Sequence, residues 1–412
     1  MQRNYWVAVI CGATILTIGI GARGSFGIFQ APIAADLQVG RELWSFGNAL
    51  SMLLMGAFAP FVGGIADKFG AARTIAMGGV LYVAGMVLMS SATEGVVLTL
   101  GNALSGIGMS AAGFGPIFGV IGRSTPPAKR SLALGLATAG GSFGQFAIVP
   151  FAAVMLDLTN DWHQTMLVLA LVSTIMVPLA WGLRETKASL AAAAGPKPQT
   201  LKAALGEASA TPGFWLLTVG FFVCGFHVAF VGLHLPAYVA DNGVGLEMFG
   251  KTISPAQLGG WAIGLVGLFN IAGSILWGYL GGRYKRKDML ALLYFLRALV
   301  FILFLVLPLS ASSVLVFAAL LGFLWLGTVP LTSGLVGYIF GPAFMSMLYG
   351  IVFFSHQLGS FLGGWGGGKL YDLTKSYDAM WWISVALGLT AALLNLLIRE
   401  KPVARLMPAA AE

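Results

Sequence analysis

Apolar runs of about 20 residues recur along the whole chain between short polar stretches, and a helix of that length crosses about 30 Å of hydrocarbon. The pattern predicts twelve spans, near 6–32, 44–66, 74–92, 96–122, 131–156, 163–183, 213–240, 257–280, 289–310, 313–341, 347–371 and 379–398. One long polar connection interrupts the rhythm, RETKASLAAAAGPKPQTLKAALGEASATP at 184–212, with six spans on either side. The expected class is an all-α membrane protein. The first span continues as a glycine-rich helix without a small-residue cleavage pattern, so it is expected to stay rather than to act as a removable signal.

Composition agrees. Hydrophobic residues make up 58% of the chain and charged residues 9%, at a mean hydropathy of +0.87, far from the quarter-charged make-up of soluble domains. The 57 glycines suit helices that approach closely in lipid, where small residues permit contact. Basic residues collect in alternate loops. With the N-terminus inside, 17 of the 23 are cytoplasmic, and only Arg41, Lys251, Lys369 and Lys375 lie outside. Both termini are then expected in the cytoplasm. The same asymmetry explains the net charge of +8 without nucleic acid as a partner, since no soluble basic face carries it.

Enzyme signatures are lacking. Cys11 and Cys224 fall in different spans with no ligand spacing or disulfide framework. The stretch GGWGGGK lacks phosphate-loop spacing and follows no strand. No His/Cys cluster suggests a metal and no Ser-His-Asp set is readable, so no cofactor and no catalysis are expected.

The two halves repeat one plan. Laying ARGSFGIFQAP over FHVAFVGLHLP pairs Arg23 with His227, Phe26 with Phe230, Gln30 with His234 and Pro32 with Pro236. Laying LGLATAGGSFGQF over YGIVFFSHQLGSF pairs Gly135 with Gly350, Gly144 with Gly359 and Phe146 with Phe361. Parallel repeats of this kind build transporters from two bundles around a central site.

The loop GGIADKFGAAR resembles the signature of the major facilitator superfamily, with Gly63, Asp67, Lys68, Gly70 and Arg73 at its key positions. Its counterpart GYLGGRYKRK keeps Gly278, Arg283, Arg286 and Lys287, with Gly282 where the first half has Asp67. The resemblance implies twelve transmembrane helices in two six-helix bundles, 1–183 and 213–412, joined by a cytoplasmic linker at 184–212. SFGIFQAPIAADL, FHVAFVGLHLPAYVAD and SHQLGSFLGGWGGGKLYDLTKSYD look most like bacterial monocarboxylate porters, a group related to oxalate/formate exchangers. Such porters often carry an arginine in the eighth span, where GLFNIAGSILWGYL has none and offers Asn270.

All fifteen acidic residues fall in loops or at span ends, which disfavours a cationic substrate. The embedded charges are Arg23 and Arg297. A guanidinium cannot shed its proton, so burying one costs roughly 3 kcal/mol or more unless water or a partner reaches it. One reading is that Arg23 holds an anion in the cavity, with His227 facing it from the seventh span. The other is that Arg23 snorkels to the outer interface or pairs with Asp36 or Asp241. His234 lies two turns beyond His227. Arg297 sits about nine residues inside the ninth span and is expected to reach the headgroups as an anchor rather than to bind substrate.

His356 and Gln357 on the eleventh span are candidates to gate or bind. Asn102, Gln145, Asn270 and Tyr338 lie on spans near the expected cavity and either orient an acid or join helices. By resemblance, Asp67 with Lys68 and Arg73 forms a cytoplasmic latch between the bundle halves. These residues fit a monomeric carrier in a bacterial inner membrane that moves a small organic anion, a monocarboxylate, by proton symport or anion exchange. An exporter of hydrophobic compounds on the same fold is the alternative. An intramembrane enzyme or a sensor lacks, respectively, a nucleophile or metal constellation and a soluble output domain.

Overall fold

In lipid every backbone polar group needs an internal partner, which leaves helices as the spanning elements of an apolar chain. The computed structural model describes residues 5–38, 41–185, 199–248, 251–253 and 255–406, and it is nearly all helical. The long helical units are α1 (Tyr5–Gly24), α2 (Arg41–Phe69), α3 (Ala71–Ser90), α4 (Gly95–Ser124), α5 (Arg130–Thr159) and α6 (Trp162–Leu183) in the first half. The second half has α7 (Pro212–Asp241), α8 (Pro255–Arg283), α9 (Arg286–Val306), α10 (Ala311–Ile339), α11 (Met345–Thr374) and α12 (Asp378–Leu397). Eleven spans are long and apolar enough to cross a membrane among the described residues. The twelfth helix, α11, is 30 residues long, but His356, Gln357 and its glycines make it less apolar.

Three features depart from the sequence pattern. A small antiparallel hairpin, Leu246–Met248 with Lys251–Ile253, sits between α7 and α8 of the all-helical bundle. Two spans that read as continuous are broken. In α4, Gly113 separates Gly95–Ala112 from Phe114–Ser124, and in α10 residues 324–327 separate Ala311–Phe323 from Thr328–Ile339. Residues 186–198 of the expected linker lie outside the described residues; its described part holds a helix, Leu201–Ser209, capped by the Thr200 hydroxyl.

The same helix pairs form in both halves: α1 on α5 and α7 on α11, α2 on α4 and α8 on α10, α3 on α6 and α9 on α12. The repeat extends to single residues. A Cβ on Gly144 would lie 2.0 Å from the Thr17 carbonyl oxygen of α1, and one on its aligned partner Gly359 would lie 2.0 Å from the Phe222 carbonyl oxygen of α7. Only glycine admits backbones this close.

The halves meet along two seams, α2 against α11 and α5 against α8. The end of the bundles that holds Tyr5 and Leu397 is called the near end here, and the opposite one the far end. From mid-membrane to the near end the seams are tight: an added Cβ on Gly278 would meet the Ser131 carbonyl oxygen at 2.8 Å, and one on Gly63 the Ser346 carbonyl oxygen at 2.5 Å. Towards the far end the same helix faces come free. Gly267, Gly264 and Gly260, which continue the stripe of Gly278 and Asn270 along α8, have nothing within 4 Å of an added Cβ. Phe146, which continues the Ser131–Gly135–Ser142 stripe of α5, is 52% exposed, and Trp365 on α11 is 54% exposed. The bundles are therefore joined at the near end and splayed at the far end.

Gly278→Val should force α5 and α8 apart. On a background lacking Cys11 and Cys224, spin labels at the exposed positions 68 and 285 should then report a longer near-end separation than in the parent protein. An unchanged distance distribution would show that the seam has slack for a side chain.

Candidate functional site

The near-end seam is held by a buried charge cluster. Because α2 runs on to Phe69, Asp67 lies in its last helical turn, not in a loop, and is only 8% exposed. One carboxylate oxygen accepts from Arg123 Nη1 at the end of α4; the other accepts the Met347 backbone N–H in the first turn of α11, at 2.8 Å. Arg123 also donates to Glu185 through Nε (2.6 Å) and Nη2 (3.0 Å), and to the Pro342 carbonyl (3.3 Å). Asp67 thus ties the first half to the positive end of a helix in the second half.

The expected partners Lys68 and Arg73 are corrected: both are exposed, and Lys68 lies over the Phe69 ring at 5.1 Å. On α2, Lys68 points away because neighbours in a helix are rotated by about 100°. Arg123 and Glu185 were missed by the sequence reading. A carboxylate that must be buried calls for a cation of matching depth, and the end of the fourth span supplies one.

At mid-membrane three helices of the first half and two of the second converge. Arg23, partly buried on α1, places Nη1 3.4 Å from the Met55 sulfur of α2, and no carboxylate pairs with it among the described residues. Asp36 is engaged elsewhere, accepting from Trp162 Nε1 (3.0 Å) and lying 3.1 Å from His163 Nε2. One turn away on α2, Gln357 of α11 donates through Nε2 to the Met52 carbonyl at 3.1 Å, while its Oε1 lies 3.0 Å from His356 Nδ1. Gln145 of α5 is exposed and packs beside Gly24, the neighbour of Arg23. On the other seam Asn270 is fully buried. Its Nδ2 donates to the Ser142 hydroxyl at 2.7 Å, and its Oδ1 accepts from Ser274 Oγ and from the Leu326 N–H within the α10 break. Asn270 is a clasp across the bundles, bonded through both its amide nitrogen and its amide oxygen.

Other predicted residues lie elsewhere. His227 does not face Arg23. It is fully buried, with Nε2 2.8 Å from the Ser384 carbonyl of α12 and its ring against Phe301 of α9. The reason is register: Thr17 lies against Gly144 as Phe222 lies against Gly359, and Ala13 against Gly140 as Ser355 bonds Thr218. That register sets Arg23 opposite Val228, one residue on. A one-residue slip turns a helical side chain by about 100°.

Arg297 is no headgroup anchor. It is fully buried and its Nη2 donates to the Leu324 and Trp325 carbonyls at 2.5 and 2.6 Å, the acceptors freed where α10 breaks. Tyr338 lies at the near end under the Arg286 guanidinium, 5.1 Å from its ring. Asn102 is buried within the first half and bonds the Leu98 carbonyl of its own helix. His234 places Nε2 2.9 Å from the Gly364 carbonyl, between α7 and α11. The side chain of Gln30, its partner in the repeat, lies outside the described ones.

Comparisons with known proteins agree with this architecture. The family model described as Major Facilitator Superfamily matches residues 11–260 and 248–411. The chain is 26% identical over 389 residues to the uncharacterized MFS-type transporter YcxA of Bacillus subtilis, covering 88% of each chain. It is 23% identical over 369 residues to the oxalate:formate antiporter of Oxalobacter formigenes, covering 88% of this chain and 84% of that one. Monocarboxylate transporter 11 of Mus musculus is 26% identical over 244 residues, 58% of this chain and 53% of that one. Among solved structures, the human organic anion transporter MFSD10 superposes with a TM-score of 0.67 at 15% identity, covering 96% of this chain and 100% of that one; the likeness concerns the fold.

Two outcomes test the geometry. Asp67→Asn should lower the counterflow rate at saturating solute by about tenfold while changing half-saturation by less than about twofold, because the carboxylate acts on the seam and not on the solute. Unaltered cycling would remove Asp67 from the conformational step. At the far end, hydrogen bonds from Trp162 and then His163 hold the Asp36 carboxyl below its ordinary value. A lowered carboxylate stabilises the fold above its unfolded pKa of about 3.9, and that contribution is lost as the pH falls through the lower folded value. The difference in unfolding temperature between the parent protein and Asp36→Ala should therefore be full at pH 6 and shrink below about pH 3.9.

Proposed function

The chain belongs to the Major Facilitator Superfamily of membrane transporters, and from that premise we propose that it carries a small organic anion, a monocarboxylate, by alternating access. In this reading the near end faces the cytoplasm of a bacterial cell and the membrane is the inner one, since 17 of the 23 basic residues collect on that side. The two bodies that rock are 1–183 and 213–412, with 184–212 as the linker. The far-open shape is then the outward-facing state.

The observation that carries the reading is Arg23. Its guanidinium lies against Met55 of α2, one turn from the α2–α11 contact at Met52, partly exposed and without a carboxylate among the described residues. A carboxylate there gains a charge-assisted, two-pronged pair of hydrogen bonds and relieves an uncompensated charge at mid-membrane. Gln145, open to the same side, supplies a neutral donor. The names of two relatives, an oxalate:formate antiporter and a monocarboxylate transporter, support the same chemical class. Anion exchange needs nothing more from the chain. Proton symport would draw on His356, hydrogen-bonded to the seam residue Gln357, in place of the inward-turned His227. A second reading, export of hydrophobic compounds, draws on the exposed aromatic residues Phe146, Phe361 and Trp365.

Counterflow in proteoliposomes with short mono- and dicarboxylates, with and without a pH gradient, tests these readings together. Arg23→Gln should abolish carboxylate counterflow and Arg23→Lys should reduce it at least tenfold, as expected when a bidentate site is replaced by a point charge. Carboxylate exchange by Arg23→Gln at the parent rate would overturn the anion reading. Flux of apolar compounds alone would favour the second one.

A further inference from the structure

At the near end a groove of about 310 Å³ opens beside the seam between α5 and α8. Trp6 of α1, Leu132 and Leu136 of α5 and Tyr279 of α8 form its apolar walls, and Lys129 and Arg283 stand on its rim. Both cations are exposed, and neither pairs with a carboxylate among the described residues. The Arg283 guanidinium lies 5.2 Å over the Tyr279 ring.

The internal repeat explains why the rim is uncompensated. On the α2–α11 seam, Asp67 neutralises the basic end of α4. The equivalent position on the α5–α8 seam is Gly282, where an added Cβ would lie 3.4 Å from the Ala128 carbonyl oxygen. A side chain would fit there in ordinary contact, but the acid is gone and two cations remain.

We propose that this groove binds an acidic phospholipid, its phosphate between Lys129 and Arg283 and one acyl chain along Trp6, Leu132 and Leu136. A soluble anion would match the rim and leave the apolar walls in water. A net-neutral phospholipid would fill the walls and leave the charge uncompensated. An acidic phospholipid satisfies both, and Trp6 and Tyr279 sit at the depth where aromatic residues favour the headgroup region. Lys129 belongs to the first half and Arg283 to the second, so a bound lipid bridges the bundles and favours the closed near end.

Native mass spectrometry of the full-length protein in neutral detergent, titrated with phosphatidylglycerol or phosphatidylcholine, tests this. Two basic side chains at a membrane surface give a preference of roughly tenfold or more. The parent protein should retain a first phosphatidylglycerol at least about tenfold more tightly than phosphatidylcholine. Lys129→Gln with Arg283→Gln should lose that preference, whereas Arg399→Gln with Lys401→Gln, an equal charge change at exposed sites away from the groove, should keep it. Glycerophosphoglycerol, the headgroup without chains, should not compete at the same concentration. Equal loss in both double variants, an unchanged preference in the groove variant, or competition by the bare headgroup would each overturn the proposal.

Discussion

A carboxylate buried at the end of a membrane helix has to find compensation on the spot, and Asp67 finds it in both halves of the molecule at once. Its side chain and that of Arg123 are almost wholly shielded, at 0% and 1% exposure, so the pair is no weak surface bridge. Removing one member of such a pair strands the other in a poor dielectric, at a cost of roughly 3–5 kcal/mol. The bond to the Met347 N–H converts that local demand into a contact between bundles. The shape follows: with the bundles pinned here at the near end and at mid-membrane by Asn270–Ser142, they diverge towards the far end.

The two embedded arginines show how the same demand gives different results. Arg297 donates through Nη2 to two main-chain carbonyls that a helix break makes available, and it becomes part of the second bundle's interior. Arg23 has only a thioether, a weak acceptor, beside Nη1. A cation left with so poor a partner at the mouth of a splayed interface is an electrostatic asset only to a molecule that arrives with a negative charge. The contrast between the arginines, more than the presence of either, separates a structural charge from one free to act on cargo.

Much of this was legible in the sequence. The spans and the pairing of Gly144 with Gly359 followed from hydropathy and self-similarity, because length and small-residue spacing are properties of the chain itself. The breaks in α4 and α10 were not, since both lie within unbroken apolar runs and are set by packing. With the α10 break hidden, Arg297 had no visible acceptors and read as a snorkelling anchor. His227 was misplaced by a one-residue register error, which two identities in an eleven-residue alignment could not detect. Asp67 was recognised by its motif, but Arg123 and Glu185 are remote in sequence, and only folding brings them to it.

Alternating access requires that the near-end contacts be strong enough to define a state and few enough to release. Among the described residues five hydrogen bonds join the halves, Met347 to Asp67, Arg123 to Pro342, Gln357 to Met52, Asn270 to Ser142 and Arg286 to Ser131. At a net worth of about 1 kcal/mol each, more where a charge takes part, they amount to several kcal/mol, which contacts in the opposite state must match for both states to be populated. The far-end faces that would close in that state carry Phe146, Phe361 and Trp365 alongside the bare stripe of Gly260, Gly264 and Gly267, large surfaces facing small ones. Directional bonds hold one end and shape complementarity is available at the other. On the proposed reading, a solute that neutralises Arg23 would sit beside the α2–α11 contact, where a change in local charge would bear on both sets of contacts.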